Sequence, residues 1–392
     1  MSGAVVSRTG LGRWAPPLAL LVIWVVMTAL NPRFLSAVNL TNLMLQIVAV
    51  GAIAVGVVLV LLIGEIDLSV GAVSGFGAAV AAVLSVKQGW PAWLAVVAGL
   101  LTGVIVGLLH ATLVTRVGIP SFVVTLAGLL TWQGALLLVL GDTGTVNISD
   151  PQLVAIAGTF LAPAVGWLLA VGVAAAAVVA VGRRARRPGL GGPHRRWPWL
   201  VAGAGSLVAV AVFNADRGVP LAVVLFLLLL VFFDIVMRRT RLGRHAVAIG
   251  SNPAAARRAG IPVDRIRMVV FALASALAVT GGILAASRLL AVNQSSGSTD
   301  LMLAAVAAAV IGGTSLFGGR GSVWSALLGS LVVGSLANGL DLLGTSSAVR
   351  SIATGLVLAV AVGLDTMARR GELFDELGPV GYVSSRRRKS VT

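Results

Sequence analysis

The 392-residue chain has no cysteine, only two lysines, one tyrosine and three histidines. Without cysteine, neither a disulfide framework nor a thiolate metal site can form. Neither lysine, Lys87 or Lys389, lies in a Gly-Lys-Ser/Thr ending, so the glycine-rich stretch 312–321 is no phosphate loop. The chain therefore carries no recognisable ATP site of its own. His110, His194 and His245 are far apart, and neither H-E-x-x-H nor G-x-S-x-G occurs. Nothing in the sequence implies a catalytic residue, a cofactor or a resident metal.

Charge is scarce too, at 11% of residues, where soluble domains carry about a quarter. What fills the sequence is apolar: 58% of residues are hydrophobic and the mean hydropathy is +1.02. A soluble chain of this length has no single core able to hide so much apolar surface, whereas a bilayer supplies the missing environment. A span needs roughly 20 apolar residues. This predicts an all-α polytopic transmembrane bundle of about 12 spans (10–12). They fall near 14–30, 43–63, 67–86, 92–115, 120–140, 152–181, 197–213, 219–237, 268–290, 301–317, 323–342 and 347–366. The first run, Trp14 to Leu30, lacks a small-residue cleavage site and reads as a retained helix.

The net charge of +16 and the isoelectric point near 11.9 would suit a nucleic-acid binder. Their placement points to the membrane instead. With the N-terminus inside, 24 of the 29 basic residues fall in segments expected to be cytosolic; Arg33, Lys87, Arg217, Arg288 and Arg350 are the five that do not. The expected layout is one transmembrane domain over 1–392, with both termini cytoplasmic. It has a basic loop at 182–196, an extra hairpin at 197–237, a polar segment at 238–267 and a basic tail at 367–392. No nucleic-acid partner is implied. Membrane lipid is.

Two places interrupt the regular pattern. The run from Leu43 to Leu84 is apolar except at Glu65, Asp67 and Ser69, and its two spans can meet inside the membrane. Stretch 301–322 is short and ends in five glycines, so it reads either as a span or as a re-entrant segment. Both suggest a broken or re-entrant helix region.

In Gly64-Glu65-Ile66-Asp67-Leu68-Ser69-Val70-Gly71, two carboxylates sit in an apolar run. An Asp at a helix centre costs about 2.5–3.5 kcal/mol to insert, and such groups usually face a bundle interior or a wet cavity. Flanking glycines permit a break that exposes backbone to a polar pathway. The alternative is a turn between spans in which Asp67 and Ser69 cap the next helix. The candidate pathway residues are Glu65, Asp67 and Ser69, with Asn338 nearer the outer half.

Segment 243–267 is basic through Arg244, Arg257, Arg258, Arg265 and Arg267. Asn252-Pro253 starts a short helix with proline at its first position, Ala254 to Ala259 favour helix, and Gly260 suits its stop. A capped exposed helix fits a groove on a partner; a loop serving topology alone is the bland alternative. The candidate docking surface is Arg244, Asn252, Arg257, Arg258 and Gly260. Asp234 and Asp365 precede Arg238 and Arg369 by four residues, as pairs at helix ends do.

Four stretches, GEIDLSVG (64–71), IPSFVVTLAGLLTWQG (119–134), GRHAVAIGSNPAAARRAGIPVDRIR (243–267) and IGGTSLFGGRGSVW (311–324), occur in this order across most of the chain. In these the chain resembles the inner-membrane permease subunits of ATP-binding-cassette sugar importers, the group handling ribose, arabinose and xylose. Glu65, where many relatives have glycine, the hydrophobic hairpin near 182–218 and Arg217-Gly218-Val219-Pro220 resemble the xylose-type subgroup. One departure stands out: relatives commonly read Leu-Asp-Ala-Ile-Ala-Ala before IGGTS, whereas here Asp300 begins Asp-Leu-Met-Leu-Ala-Ala. The resemblance implies a channel of two permease copies in the bacterial inner membrane, two copies of an ATPase function on the cytosolic face, and an extracytoplasmic sugar-binding protein. Helices like that at 252–260 would transmit ATP-driven closure. The residues by themselves also admit a self-contained carrier coupled to protons through Glu65 or Asp67.

Overall fold

A computed structural model describes residues 9–185, 197–357, 359–360 and 363. Most of the basic loop, the tail at 367–392 and the Asp365–Arg369 pair lie outside the described residues. In chain order the helices are α1 (Thr9–Leu30), α2 (Ala37–Leu62), α3 (Val70–Ala82), α4 (Ala92–Thr112), α5 (Ser121–Leu140), α6 (Pro151–Gly158) and α7 (Pro163–Ala185). They continue as α8 (Trp197–Asn214), α9 (Leu221–Arg239), α10 (Arg241–Ser251), α11 (Pro253–Arg258), α12 (Val263–Leu289), α13 (Thr299–Ile311) and α14 (Trp324–Leu342). A further helix starts at 347. Among the described residues, eight helical stretches are long and apolar enough to cross a membrane, and three shorter apolar helices accompany them. The expected all-α polytopic bundle is what forms.

Helices α2 and α12 make the centre. The apolar window of α2 is 89% buried and that of α12 is 61% buried, so these helices meet protein on most sides. Lipid offers no less apolar surroundings than protein, so such helices associate through close packing at small residues. That packing is visible at glycine. A side chain at Gly56 of α2 would stand 2.7 Å from the Ala274 carbonyl of α12. Gly107 of α4 lies against the Phe271 carbonyl of α12, and Gly282 of α12 against Ser74 of α3. Any larger residue would drive these backbones apart.

Sequence and structure part at two places. The apolar run at 152–181, expected as one span, divides into α6 and α7. Asp150 caps α6, accepting from the Gln152 and Leu153 N–H groups at 2.8 and 3.2 Å, and the Ser287 hydroxyl donates to the Leu153 carbonyl. Desolvation pulls the Asp150 carboxyl upward, but bonds from Ser85, Leu153 and Gln152 outweigh it and hold the group below its ordinary range. Second, α8 pairs with α7 (Gly203 sits on Ala174 and Ala177), while α9 packs on α2 with Phe226 over Gly51. The expected hairpin over 197–237 is thus shifted toward the N-terminus. In stretch 301–322, left open between a span and a re-entrant segment, α13 has 13 residues, about 20 Å at 1.5 Å per residue, short of a hydrocarbon core of about 30 Å. It is a half-helix.

Two small antiparallel ladders tie distant segments together. Strand β1 (Thr145–Asn147) pairs with β4 (Ala291–Asn293), joining the ends of α5 and α12, with Val146 opposite Val292. Strand β2 (Phe160–Leu161) pairs with β3 (Val219–Pro220), and the Arg217 guanidinium lies 4.3 Å from the centre of the Phe160 ring.

Candidate functional site

The site forms where helices stop inside the bundle. Helix α2 ends at Leu62 and α3 starts at Val70, leaving 63–69 as irregular backbone. Backbone groups that leave a helix still need hydrogen-bond partners. Helix α5 supplies them: the Ile66 N–H donates to Ser121 Oγ at 3.3 Å, and Thr125 Oγ1 donates to the Ile66 carbonyl at 3.3 Å. The second interruption faces the first. Residues 296–298, entering half-helix α13, pack directly on Gly71 and Gly75 of α3, so closely that a Cβ at Gly75 would collide with the Ser296 carbonyl.

Asp67 and Ser69 are deep in this break, 4% and 0% exposed. Asp67 Oδ1 accepts from the Ser69 N–H at 2.8 Å and from Ser69 Oγ at 2.6 Å. This is a local turn bond and not the helix cap of the alternative reading, because Ser69, at the N-cap position of α3, makes no side-chain cap bond and Asp67 bonds only to Ser69 among the described residues. The other carboxylate oxygen, Oδ2, is buried without a hydrogen-bond partner among the described residues. Turn and buried polar group are therefore one feature.

Sequence reasoning missed two residues that complete this cluster. His110 of α4 is fully buried, with Nδ1 at 3.5 Å from Ser69 Oγ, and Trp132 of α5 donates its indole N–H to His110 Nε2 at 2.9 Å. An indole only donates. Nε2 is therefore unprotonated, and in the neutral ring the proton sits on Nδ1, aimed at Ser69. The Trp132 ring also stacks on Phe76 of α3, centroids 5.5 Å apart. More than 40 positions separate Ser69 from His110, and no short motif links them.

Glu65 faces the other way. It makes an ion pair with Arg267 at the start of α12, the two side chains 11% and 18% exposed. Asn338 is remote from Asp67. It exchanges amide bonds with Asn39 of α2, at 2.8 and 3.1 Å, and Asn39 also donates to the Phe34 carbonyl at 2.8 Å. Nearby, Arg350 pairs with Asp341 at 2.6 Å. Of the four candidate pathway residues, then, Glu65, Asp67 and Ser69 share one break and Asn338 belongs to an α2–α14 clamp.

The polar segment folds as the cap signals suggest. Asn252 Oδ1 accepts from the Ala255 N–H at 2.9 Å, and Pro253 opens α11. The helix closes with Gly260 N–H to Arg257 and Ile261 N–H to Ala256, both at 3.0 Å, and Gly260 takes φ +78°. That pair of bonds around a left-handed residue is the Schellman ending, which favours glycine. Residues 251–260 are exposed except for Ala256, and Arg244 is exposed as well. Helix α10 was not foreseen. Its buried face is Gly243, Ala246 and Ile249, at three-residue spacing opposite a face carrying Arg241 and Arg244, a clear amphipathic helix pattern that could have revealed it. Gly250 at its end meets the Leu62 carbonyl and Gly319 so tightly that no side chain fits. Residues 62–65, 250–251, 267 and 318–319 therefore meet at one end of the bundle, where charge placement expected a common side.

Comparison with known proteins gives this architecture a family. A model described as the permease component of branched-chain amino acid transport systems matches residues 39–362. The chain belongs to that family of transport permeases, and it is a membrane protein. It is 37% identical over 344 residues to the xylose transport system permease protein of Escherichia coli strain K12, covering 86% of this chain and 87% of the relative. The counterpart in Haemophilus influenzae is 34% identical, covering 87% and 92%. The ribose import permease protein of Bacillus subtilis strain 168 is 31% identical, covering 89% and 91%. No solved structure gives a significant match. The resemblance to sugar importer permeases read from the four sequence stretches agrees with these relatives.

Proposed function

We propose that this chain is the channel-forming subunit of an ATP-driven importer that carries a monosaccharide, a pentose such as xylose, into the bacterial cytoplasm. In this reading a separate ATPase hydrolyses the nucleotide, an extracytoplasmic sugar-binding protein delivers the substrate, and a second permease copy completes the channel. The termini and the α10–α11 end face the cytoplasm of an inner membrane. One observation carries the proposal: α10 is seated by Gly250 on Leu62 and Gly319, at the point where α2 breaks toward Asp67. A force applied to the exposed α10–α11 surface reaches the polar break through backbone contact, with no soft side chain between.

In this arrangement Arg244, Asn252, Arg257, Arg258 and Gly260 shape the ATPase-facing surface. Asp67 and Ser69 supply polar groups to the pathway, Glu65 borders them, and Asn338 sets the spacing of α2 and α14 toward the other end. A neutral polyol needs a wet path without a strong trap, because its binding protein supplies selectivity. Sparse polar groups in an apolar bundle suit that task.

The test is reconstitution in liposomes with a sugar-importer ATPase subunit and a sugar-binding protein. Labelled pentose should accumulate only with ATP and all components present. Accumulation by the chain alone in a proton gradient would overturn the proposal and establish the proton-coupled carrier.

A further inference from the structure

The Glu65–Arg267 ion pair occupies an unusual place. It joins the irregular 63–69 segment to the first turns of α12, and both partners are largely buried. The pairs Arg257–Asp264 and Arg350–Asp341 differ, at 57% and 55%, and 40% and 41% exposed. Exposed pairs contribute little. A pair withdrawn from water is different, because losing one partner strands the other charge.

Its neighbours make it part of a chain. Arg257 of α11 reaches Asp264 in the first turn of α12 at 3.0 Å, and Arg267 lies one turn further along. Residues 259–262 are the whole connection from α11 to α12. Glu65 is two residues from Asp67, whose carboxylate holds the turn into α3. Movement of α11 would thus pass to the base of α12, across the ion pair, and into the break. Helix α10 touches the same break from the other side through Gly250.

We infer that Glu65 and Arg267 are positioning residues for coupling: their ion pair is the link by which displacement of α11 and α12 reorients the 63–69 break. Glu65 then acts through Arg267 and need not touch the transported solute. This inference rests on the ATPase-docking reading of α10–α11 and deepens it.

The experiment is a double-mutant cycle in the reconstituted complex, using Glu65→Gln, Arg267→Gln and the double variant, and measuring pentose moved per ATP hydrolysed. Each single change should lower that ratio roughly fivefold or more, while the ATPase still co-purifies and hydrolyses ATP. The double variant should be no worse than the poorer single one, since the shared link is already lost. The charge exchange Glu65→Arg with Arg267→Glu should recover part of the ratio. Independent, multiplying losses with no recovery on exchange would overturn the inference.

If either single variant fails to assemble, Glu65→Asp and Arg267→Lys are measured instead. These keep the charges but alter the reach; an unchanged ratio in both, against loss in Arg257→Glu with Arg258→Glu, would overturn the link and leave docking intact. Failure of the docking reading looks different: reversing Arg257 and Arg258 would then change neither ATPase association nor coupling.

Discussion

Helices α2 and α12 and the α7–α8 hairpin are similarly apolar, yet they are held in place differently. The window of α2 is 89% buried by protein, that of α7 only 17%. The centre is joined at glycine and alanine, backbone against backbone, and a methyl group is enough to disturb it. The hairpin has a small cluster of its own, Ala170, Val210, Phe213 and Val219, and touches the rest mainly near its end. Arg217 there reaches Asn42 of α2 at 3.3 Å. Hydropathy alone therefore does not say whether a helix is a structural centre or an attachment. Added size is thus costly at the centre and cheap on the exposed face of the hairpin.

The comparison is broken most directly at the centre. Gly107→Leu or Gly282→Leu should abolish folded, detergent-extractable protein, because each forces α12 away from a neighbour; overpacking a core already costs about 1–3 kcal/mol where side chains can adjust. Size-exclusion profiles would show it, and a monodisperse variant would contradict the packing. Next in effect, Asp67→Asn should cut uptake severalfold while assembly with the ATPase survives, since the substitution keeps the shape and removes the charge. Full uptake would remove Asp67 from the pathway.

Smaller effects sharpen the contrast. Asn338→Ala breaks the amide exchange with Asn39 and should lower thermal stability modestly, by about 1 kcal/mol, the usual scale for interhelical hydrogen bonds in membranes. Transport by the surviving folded fraction should persist; its loss would move Asn338 from clamp to pathway. At the low end, Leu168→Ala on the hairpin, where Leu168 is 73% exposed, should change stability by no more than about 0.5 kcal/mol. A large loss there would mean that protein covers this face.

Legibility in the sequence differed from segment to segment. The cap of α11 was readable because Asn252, Pro253 and Gly260 act on their own backbone within a few residues. The interruption at 64–71 was readable because carboxylates in an apolar run are costly anywhere. The division at 152–181 has a local signal as well, since α6 ends at Gly158 and α7 opens with Pro163; what no local pattern gives is that Ser287, more than 120 positions away, accepts the Ala157 N–H and donates to the Leu153 carbonyl. Helix α10 was legible too, since Gly243, Ala246 and Ile249 recur at helical spacing opposite Arg241 and Arg244; the basic character of the segment drew the reading to charge instead of periodicity.

Composition and local chemistry by themselves determined that this chain crosses a membrane many times, which segments interrupt the crossing, and where a capped polar helix stands. Those properties follow from transfer energies and short-range backbone bonds. Only the tertiary structure decided that Glu65 turns to Arg267, that Ser69 lies beside His110, and that Asn338 answers Asn39. Such pairings depend on how helices far apart in the chain are set side by side, and that is governed by close packing between small residues, which no local pattern encodes.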